Sequence, residues 1–298
     1  MIPFTDPPRW PHPPNTARFA STVRTIDHAG CRIGLLGLAD DLGVRLNGGR
    51  PGAASGPEAF RAALAKYGSA APDRVDWPIV FDAGDIRPSE GTSEASLLET
   101  HSRITGATVA LLDAGLFPIA IGGGHDLTLP FAKAVFEHPR NQRASREVVY
   151  FDAHLDVRDG VGSGMPFRRL IEDCGVSRLN LIGADPFANS AAHTAWFRAR
   201  GGRLLPHDDG GNPTAARIAS FDLDCLDASV APGVSALNPC GLRMDTVEPM
   251  VRTLGANSNV RSFDIMELCP PHDADGRTAR VAARLFLAFL AGFSERSA

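Results

Sequence analysis

The sequence is short of several things, and each shortage removes a class of function. Its five cysteines, Cys31, Cys174, Cys225, Cys240 and Cys269, are odd in number and scattered, with no C-x-x-C pair. That spacing suits neither a disulfide framework nor a structural zinc knuckle, so free thiols in a reducing compartment are expected. Basic and acidic residues nearly balance, leaving a net charge of -4. No global field therefore favours nucleic acid or an anionic membrane. The most apolar helical run, RLFLAFLAGF (284–293), is too short to span a bilayer. The proline-rich opening, MIPFTDPPRWPHPPN, lacks the basic-then-apolar order of a secretory signal. No G-x-S-x-G nucleophile elbow occurs, which argues against a serine hydrolase. The loose G-x-x-G of RIGLLGLADD lacks the spacing of a dinucleotide loop. A cytoplasmic protein that engages neither membrane nor nucleic acid is the expectation.

What the chain does have is apolar content of 44%, enough for a sizeable core, arranged in short runs that alternate with amphipathic stretches. Strands are expected at 32–38, 79–84, 117–122, 148–153, 179–184, 203–206, 217–224 and 260–266. The stretch SEASLLETHSRITGATVALLDAG reads as a helix capped by Thr92 or Ser93 and closed by Gly115. Such alternation predicts an α/β fold, a parallel sheet covered by helices on both faces. No repeat or low-complexity linker divides it, so residues 21–298 are read as one catalytic domain. Residues 1–20 are read as a proline-rich arm, lying on the surface or against a neighbouring subunit.

In a parallel sheet the ligand site lies beyond the carboxyl ends of the strands. Four such ends carry ligand-type residues. AIGGGHDLTLP offers His125, and VVYFDAHLDVRDG offers Asp152, His154 and Asp156. SFDLDCLD offers Asp222 and Asp224, and SFDIMEL ends in Glu267. Alternate residues of a strand share a face, which predicts that each D-x-H-x-D and D-x-D set projects one way. Each motif alone has a bland alternative: a chain-reversing turn, a structural histidine, a helix cap. Together they would be a costly cluster of charge without a cation. Carboxylates with two imidazoles suit manganese before zinc, and six ligands exceed one tetrahedral ion. They fit two metals about 3.5–4 Å apart, sharing bridging carboxylates. The other histidines, His12, His28, His101, His138, His193 and His207, lack ligand spacing and read as surface or packing residues. Cys225 is expected to pack on the side opposite Asp224.

In this order GGGHD, DAHLD, SFDLDCLD and SFDIMELCPPHD resemble the motifs of the ureohydrolase (arginase/agmatinase) family, a likeness running from NGGRPGAASGPEAFRAAL (47–64) to the final helix. The resemblance implies a three-layer arginase-like fold with an eight-stranded parallel sheet and two Mn2+ ions. It assigns His125, Asp152, Asp156 and Asp222 to one metal and Asp152, His154, Asp222 and Asp224 to the other. It gives catalytic parts to Asp156 and Glu267, the latter receiving the cationic amidine or guanidine group. It also implies attack of a metal-bridging hydroxide on the C=N carbon, and a homo-oligomer, trimeric or hexameric.

Departures from the family pattern narrow the substrate. Ser163 stands where arginases and agmatinases carry a proton-shuttling histidine, and a serine cannot replace an imidazole near pH 7. GGGHD replaces the commoner GGDHS. Both departures, with GVRLNGGRPGA, look like the formimidoylglutamase branch, implying hydrolysis of N-formimidoyl-L-glutamate to L-glutamate and formamide. Arg158 stands where arginases place an asparagine against the substrate's α-carboxylate, and a planar guanidinium matches a carboxylate. Arg158, Ser163, Glu267, Arg45 and Asn47 are therefore the expected substrate contacts, with Arg50 nearby. Its bland alternative for Arg158 is an ion pair with Asp159 or a ligand aspartate. His272 is a further residue considered for the pocket. The competing readings are a urea-releasing guanidino-acid hydrolase, agmatinase or arginase, and a non-catalytic metal-binding homologue.

Overall fold

The computed structural model describes residues 2–11, 16–72 and 75–296. His12 and residues 1 and 13–15 of the arm lie outside them. Among the described residues nine strands form one sheet: β1 (Thr5–Asp6), β2 (Ile33–Leu38), β3 (Val80–Ile86), β4 (Phe117–Gly122), β5 (Ser145–Phe151), β6 (Arg178–Ile182), β7 (Gly202–Leu205), β8 (Ala215–Asp222) and β9 (Val260–Met266). Their order across the sheet is β1-β3-β2-β4-β9-β8-β5-β6-β7. Strands β2 to β9 are all parallel. The ninth strand corrects the expected count of eight. It comes from the proline-rich arm, where Thr5 and Asp6 pair antiparallel with Ile86 and Asp85 of β3. Two residues among prolines carry no periodicity to read.

Among the described residues eight α-helices surround the sheet: α1 (Leu42–Leu46), α2 (Gly56–Leu64), α3 (Glu94–Asp113), α4 (Thr128–Glu137), α5 (Pro166–Cys174), α6 (Ala191–Ala199), α7 (Met244–Ala256) and α8 (Arg277–Phe293). On one face Phe60 and Leu64 of α2, Val251 of α7 and Phe286 and Phe289 of α8 bury against Ile119, Phe221 and Phe263. On the other, Leu111 of α3 and Phe131 of α4 cover Leu36 and Ala120, while Phe136 and Leu170 cover Val148 and Tyr150. Strands covered on both sides are buried along their whole length, as β8 is, with Arg217, Ser220 and Asp222 its polar interruptions. Helix α3 starts where Ser93 accepts from the Ser96 N–H at 3.2 Å. It ends with Gly115 at φ 82°, the Leu116 N–H reaching Leu111 O and the Gly115 N–H reaching Leu112 O, a Schellman closure.

The arm is tied down by polar as well as apolar contacts. Trp10 Nε1 donates to Asp82 Oδ2 at 2.9 Å, and that carboxylate also pairs with fully buried Arg61 at 2.7 Å. No helix among the described residues is long and apolar enough to cross a membrane.

Candidate metal centre

Strands β4, β9, β8 and β5 are consecutive in the sheet, and these are the four whose carboxyl ends carry the ligand-type motifs. Adjacency of the strands is what brings residues 125 to 267 together. His125 follows the GGG turn at the end of β4 and opens a short 3-10 turn ahead of α4. That turn passes so close to the end of β2 that a Cβ on Gly123 would lie 2.0 Å from Asp40 O and 2.6 Å from Leu38 O. Only glycine fits there.

The reason expected for the grouping of Asp152, His154 and Asp156 is corrected by the structure. β5 ends at Phe151, so the three residues do not alternate along a strand. Asp152 leaves the strand end, and the loop then folds back, with Asp156 in the left-handed region at φ 47°. Likewise Asp222 closes β8, while Asp224 sits in the 3-10 turn that follows. Glu267, one residue past β9, is also left-handed at φ 64°. Left-handed backbone is uncommon outside glycine, and such strain clusters where a side chain must be aimed.

The result is two overlapping sets of ligand atoms. His125, Asp152, Asp156 and Asp222 form one; Asp152, His154 and Asp224 form the other. Asp152 belongs to both. Asp222 groups with the first, and its Oδ1 accepts from the Asp224 N–H at 2.8 Å. His125 Nδ1 lies 3.1 Å from one oxygen each of Asp152, Asp156 and Asp222. Yet Nδ1 and Asp152 Oδ2 are buried atoms without a hydrogen-bond partner. Lone pairs crowded together without hydrogen-bond geometry converge on a common point, as ligands do around a cation. The residues present therefore fit a divalent metal pair.

Electrostatics agree. Burial lifts the Asp152 carboxyl to about 6, with Asp156 and Asp224 adding to the rise. Burial and then Asp224 push Glu267 up to about 8. Burial opposes charge on His154, but Asp152 and Asp224 hold it up to about 12; Asp152, Asp156 and Asp222 likewise raise His125. The group retains protons that a cation would displace.

Sequence reasoning missed the residues behind the ligands. His125 Nε2 lies 3.0 Å from Ser220 Oγ, which donates to Asp264 Oδ1 at 2.5 Å. Beside it, His101 on α3 is buried, and its Nε2 lies 2.8 Å from Asp126 Oδ2. Of the two readings, surface or packing, it takes the second, packed against the His125 turn. The available signal was a serine and an aspartate interrupting otherwise apolar strands.

Four of the ligand residues, His154, Asp156, Asp222 and Asp224, line a cleft of about 160 Å³ together with Asn47, Arg158, Ser163 and Glu267. Glu267 Oε1 accepts from the His125 N–H at 2.9 Å, while its Oε2 is buried without a partner. With the Asn47 amide turned so that its oxygen faces the surrounding donors, it accepts from the N–H groups of Ser163 and Gly164 at 3.1 and 2.8 Å and from the Ser163 hydroxyl at 2.9 Å. Asn47 thereby fixes the segment that carries Ser163. Arg158 is exposed, its N–H bonded to Gly164 O at 2.8 Å. Among the described residues its guanidinium has no ion-pair or hydrogen-bond partner; Asp159 pairs with Arg168 instead. Arg45 is drawn to Asp41 at 3.1 Å, and Arg50 donates to the carbonyls of Ser235 and Val234. Neither lines the cleft, nor does His272, whose Nε2 is buried without a partner. Cys225 packs in the core.

Comparison with known proteins adds to this geometry. The profile of the arginase family matches residues 32–292. The chain is 35% identical over 308 aligned positions to the formimidoylglutamase of Ralstonia nicotianae, covering 94% of this chain and 92% of that one. It is 38% identical to the formimidoylglutamase of Nocardia farcinica, covering 84% and 83%. The crystal structure of Trypanosoma cruzi formiminoglutamase with Mn2+ superposes with a TM-score of 0.83 at 31% identity, covering 94% of this chain and 99% of that one.

Proposed function

The chain belongs to the arginase family, and from that membership we propose that it hydrolyses N-formimidoyl-L-glutamate to L-glutamate and formamide at a dinuclear manganese centre. Its similarity to formimidoylglutamases along nearly the whole chain supports this substrate. The observation that carries it is Arg158, a guanidinium with unspent donors beside a cleft of carboxylates. An arginine in that position suits a substrate that brings its own negative charge.

Bound divalent ions supply a water acidified enough to act as nucleophile near neutral pH. The remaining work falls to the chain. Glu267, its Oε2 unpartnered, is suited to accept from the amidine N–H groups and so to orient the C=N carbon toward the metal ligands. Arg158 takes a carboxylate of the substrate through its planar fork. Ser163, steadied by Asn47, offers a hydroxyl at the cleft wall and no acid–base pKa near neutrality.

Manganese is supported by donor chemistry. Imidazole with carboxylate is a donor set that manganese accepts.

The test is hydrolysis of formimidoylglutamate, agmatine, arginine and guanidinobutyrate by manganese-reconstituted protein. Formamide release from the first alone is expected. Urea release from one of the others, with formimidoylglutamate inert, would refute the substrate assignment while leaving the family intact.

A further inference from the structure

At the end of the sheet opposite the metal centre, four arginines line a cleft of about 390 Å³. Arg32 precedes β2, Arg261 is the second residue of β9, Arg140 follows α4 and Arg296 follows α8. Among the described residues, no acidic one lines the cleft.

Helix ends account for two of the four. Arg140 donates to Leu112 O at 2.8 Å and Gly115 O at 3.3 Å, at the end of α3. Arg296 donates to Gly255 O at 2.6 Å at the end of α7 and to Val260 O at 3.1 Å. Cations at helix carboxyl ends satisfy orphan carbonyls and meet the negative end of the dipole.

Arg32 and Arg261 have no such explanation. The Arg32 guanidinium stacks over Phe293 at 4.9 Å and, among the described residues, makes no hydrogen bond or ion pair. Arg261 Nε is buried without a partner, and among the described residues no carboxylate pairs with that guanidinium either. Elsewhere this chain supplies partners for its buried arginines: Asp82 and Asp85 for Arg61, Asp208 for Arg217. Burial, then Arg261 and Arg32, push Arg296 down to about 9, the mark of like charges gathered without a counter-ion.

We infer that this cleft binds a small multivalent oxyanion, a phosphate or a dicarboxylate, gripped by the guanidinium forks of Arg32 and Arg261 within the field of Arg140 and Arg296. Two unspent planar forks lining one cleft suit bidentate recognition of such an anion. The site is distinct from the metal centre and owes nothing to the substrate assignment.

The experiment titrates manganese-loaded protein with sodium phosphate, sodium sulfate or sodium succinate, at ionic strength fixed with sodium chloride, following Tm and calorimetric binding. One equivalent of anion per chain and a raised Tm are expected. Preference for phosphate and sulfate identifies a tetrahedral oxyanion, and preference for succinate a dicarboxylate. The pair R32Q/R261Q should weaken binding by about tenfold or more, since each lost contact is a charged hydrogen bond. R158A should leave binding unchanged, which separates this cleft from anions drawn to the metal centre. Should the double variant not fold, R32Q alone, at an exposed position, carries the same expectation. A Tm gain no greater than sodium chloride gives, or binding that survives R32Q/R261Q, would overturn the proposal. So would a double variant that retains anion binding but changes oligomeric state, making the cleft a contact between copies of the chain.

Discussion

Ser220 faces Asp264 directly across the β8–β9 ladder and donates its hydroxyl proton to that carboxylate at 2.5 Å. With its proton committed, Ser220 Oγ is left to accept from His125 Nε2–H at 3.0 Å. The network thus assigns the tautomer of His125: hydrogen on Nε2, lone pair on Nδ1 toward the aspartates. Removing the serine frees the ring to rotate. S220A is expected to weaken manganese binding about 10–100-fold while the protein remains folded. Manganese titration followed by the EPR signal of the free ion, with circular dichroism as a check on folding, measures this. Unchanged affinity would remove the positioning role.

Arg158 carries the substrate argument. R158A is expected to lower kcat/KM for formimidoylglutamate by about 1.5–3 kcal/mol, the value of a hydrogen bond to a charged group. Metal content should not change. Steady-state kinetics with dialysed, metal-counted protein decides it, and kcat/KM equal to that of the parent would exclude the contact.

The metal centre should release protons on loading. His154, ordinarily near 6.5, is held up to about 12 by Asp152 and Asp224 against the opposing effect of burial. A raised histidine adds stability that is complete below its unfolded pKa and lost only as pH climbs through the folded value. In metal-free protein the pairing therefore persists at neutral pH, and a cation must displace that proton. Apparent manganese affinity should fall as pH drops from about 8 to about 6. Calorimetry in buffers of different ionisation enthalpy would register the protons; heats independent of buffer would contradict the displacement.

Arg61 is the buried hinge between arm and sheet. Its guanidinium meets Asp82 at 2.7 Å and Asp85 at 2.7 Å, and Trp10 bonds the same Asp82. R61A leaves Asp82 charged and enclosed, so a loss of about 3–5 kcal/mol is expected. Urea unfolding measures it. A loss below about 1 kcal/mol, the range of exposed ion pairs, would show that the pair is not sealed from water.

Much of this was written plainly in the sequence. Each of the eight parallel strands announced itself as an apolar run; for all but the edge strand β7 the cause is cover on both faces, which leaves little polar alternation. The ligand residues were legible because they stand where those runs stop. Their grouping was legible for the wrong reason. Strand alternation does not extend past Phe151, and it is the left-handed turn at Asp156 that returns the side chain to the cluster. Ser220 and Asp264 could be seen as polar interruptions but not as partners, since that depends on β8 lying beside β9. Arg45 read as a substrate contact from its place in the chain; its pairing with Asp41 is a matter of local helix geometry.

The dinuclear centre itself is tested most directly by counting metal. Protein loaded with manganese and freed of excess should hold two ions per chain, with an EPR spectrum broadened by spin coupling between neighbours. Asp152, common to both ligand sets, is the residue whose replacement in D152N should abolish that coupling. A parent protein saturating at a single ion with an isolated six-line signal would contradict the account.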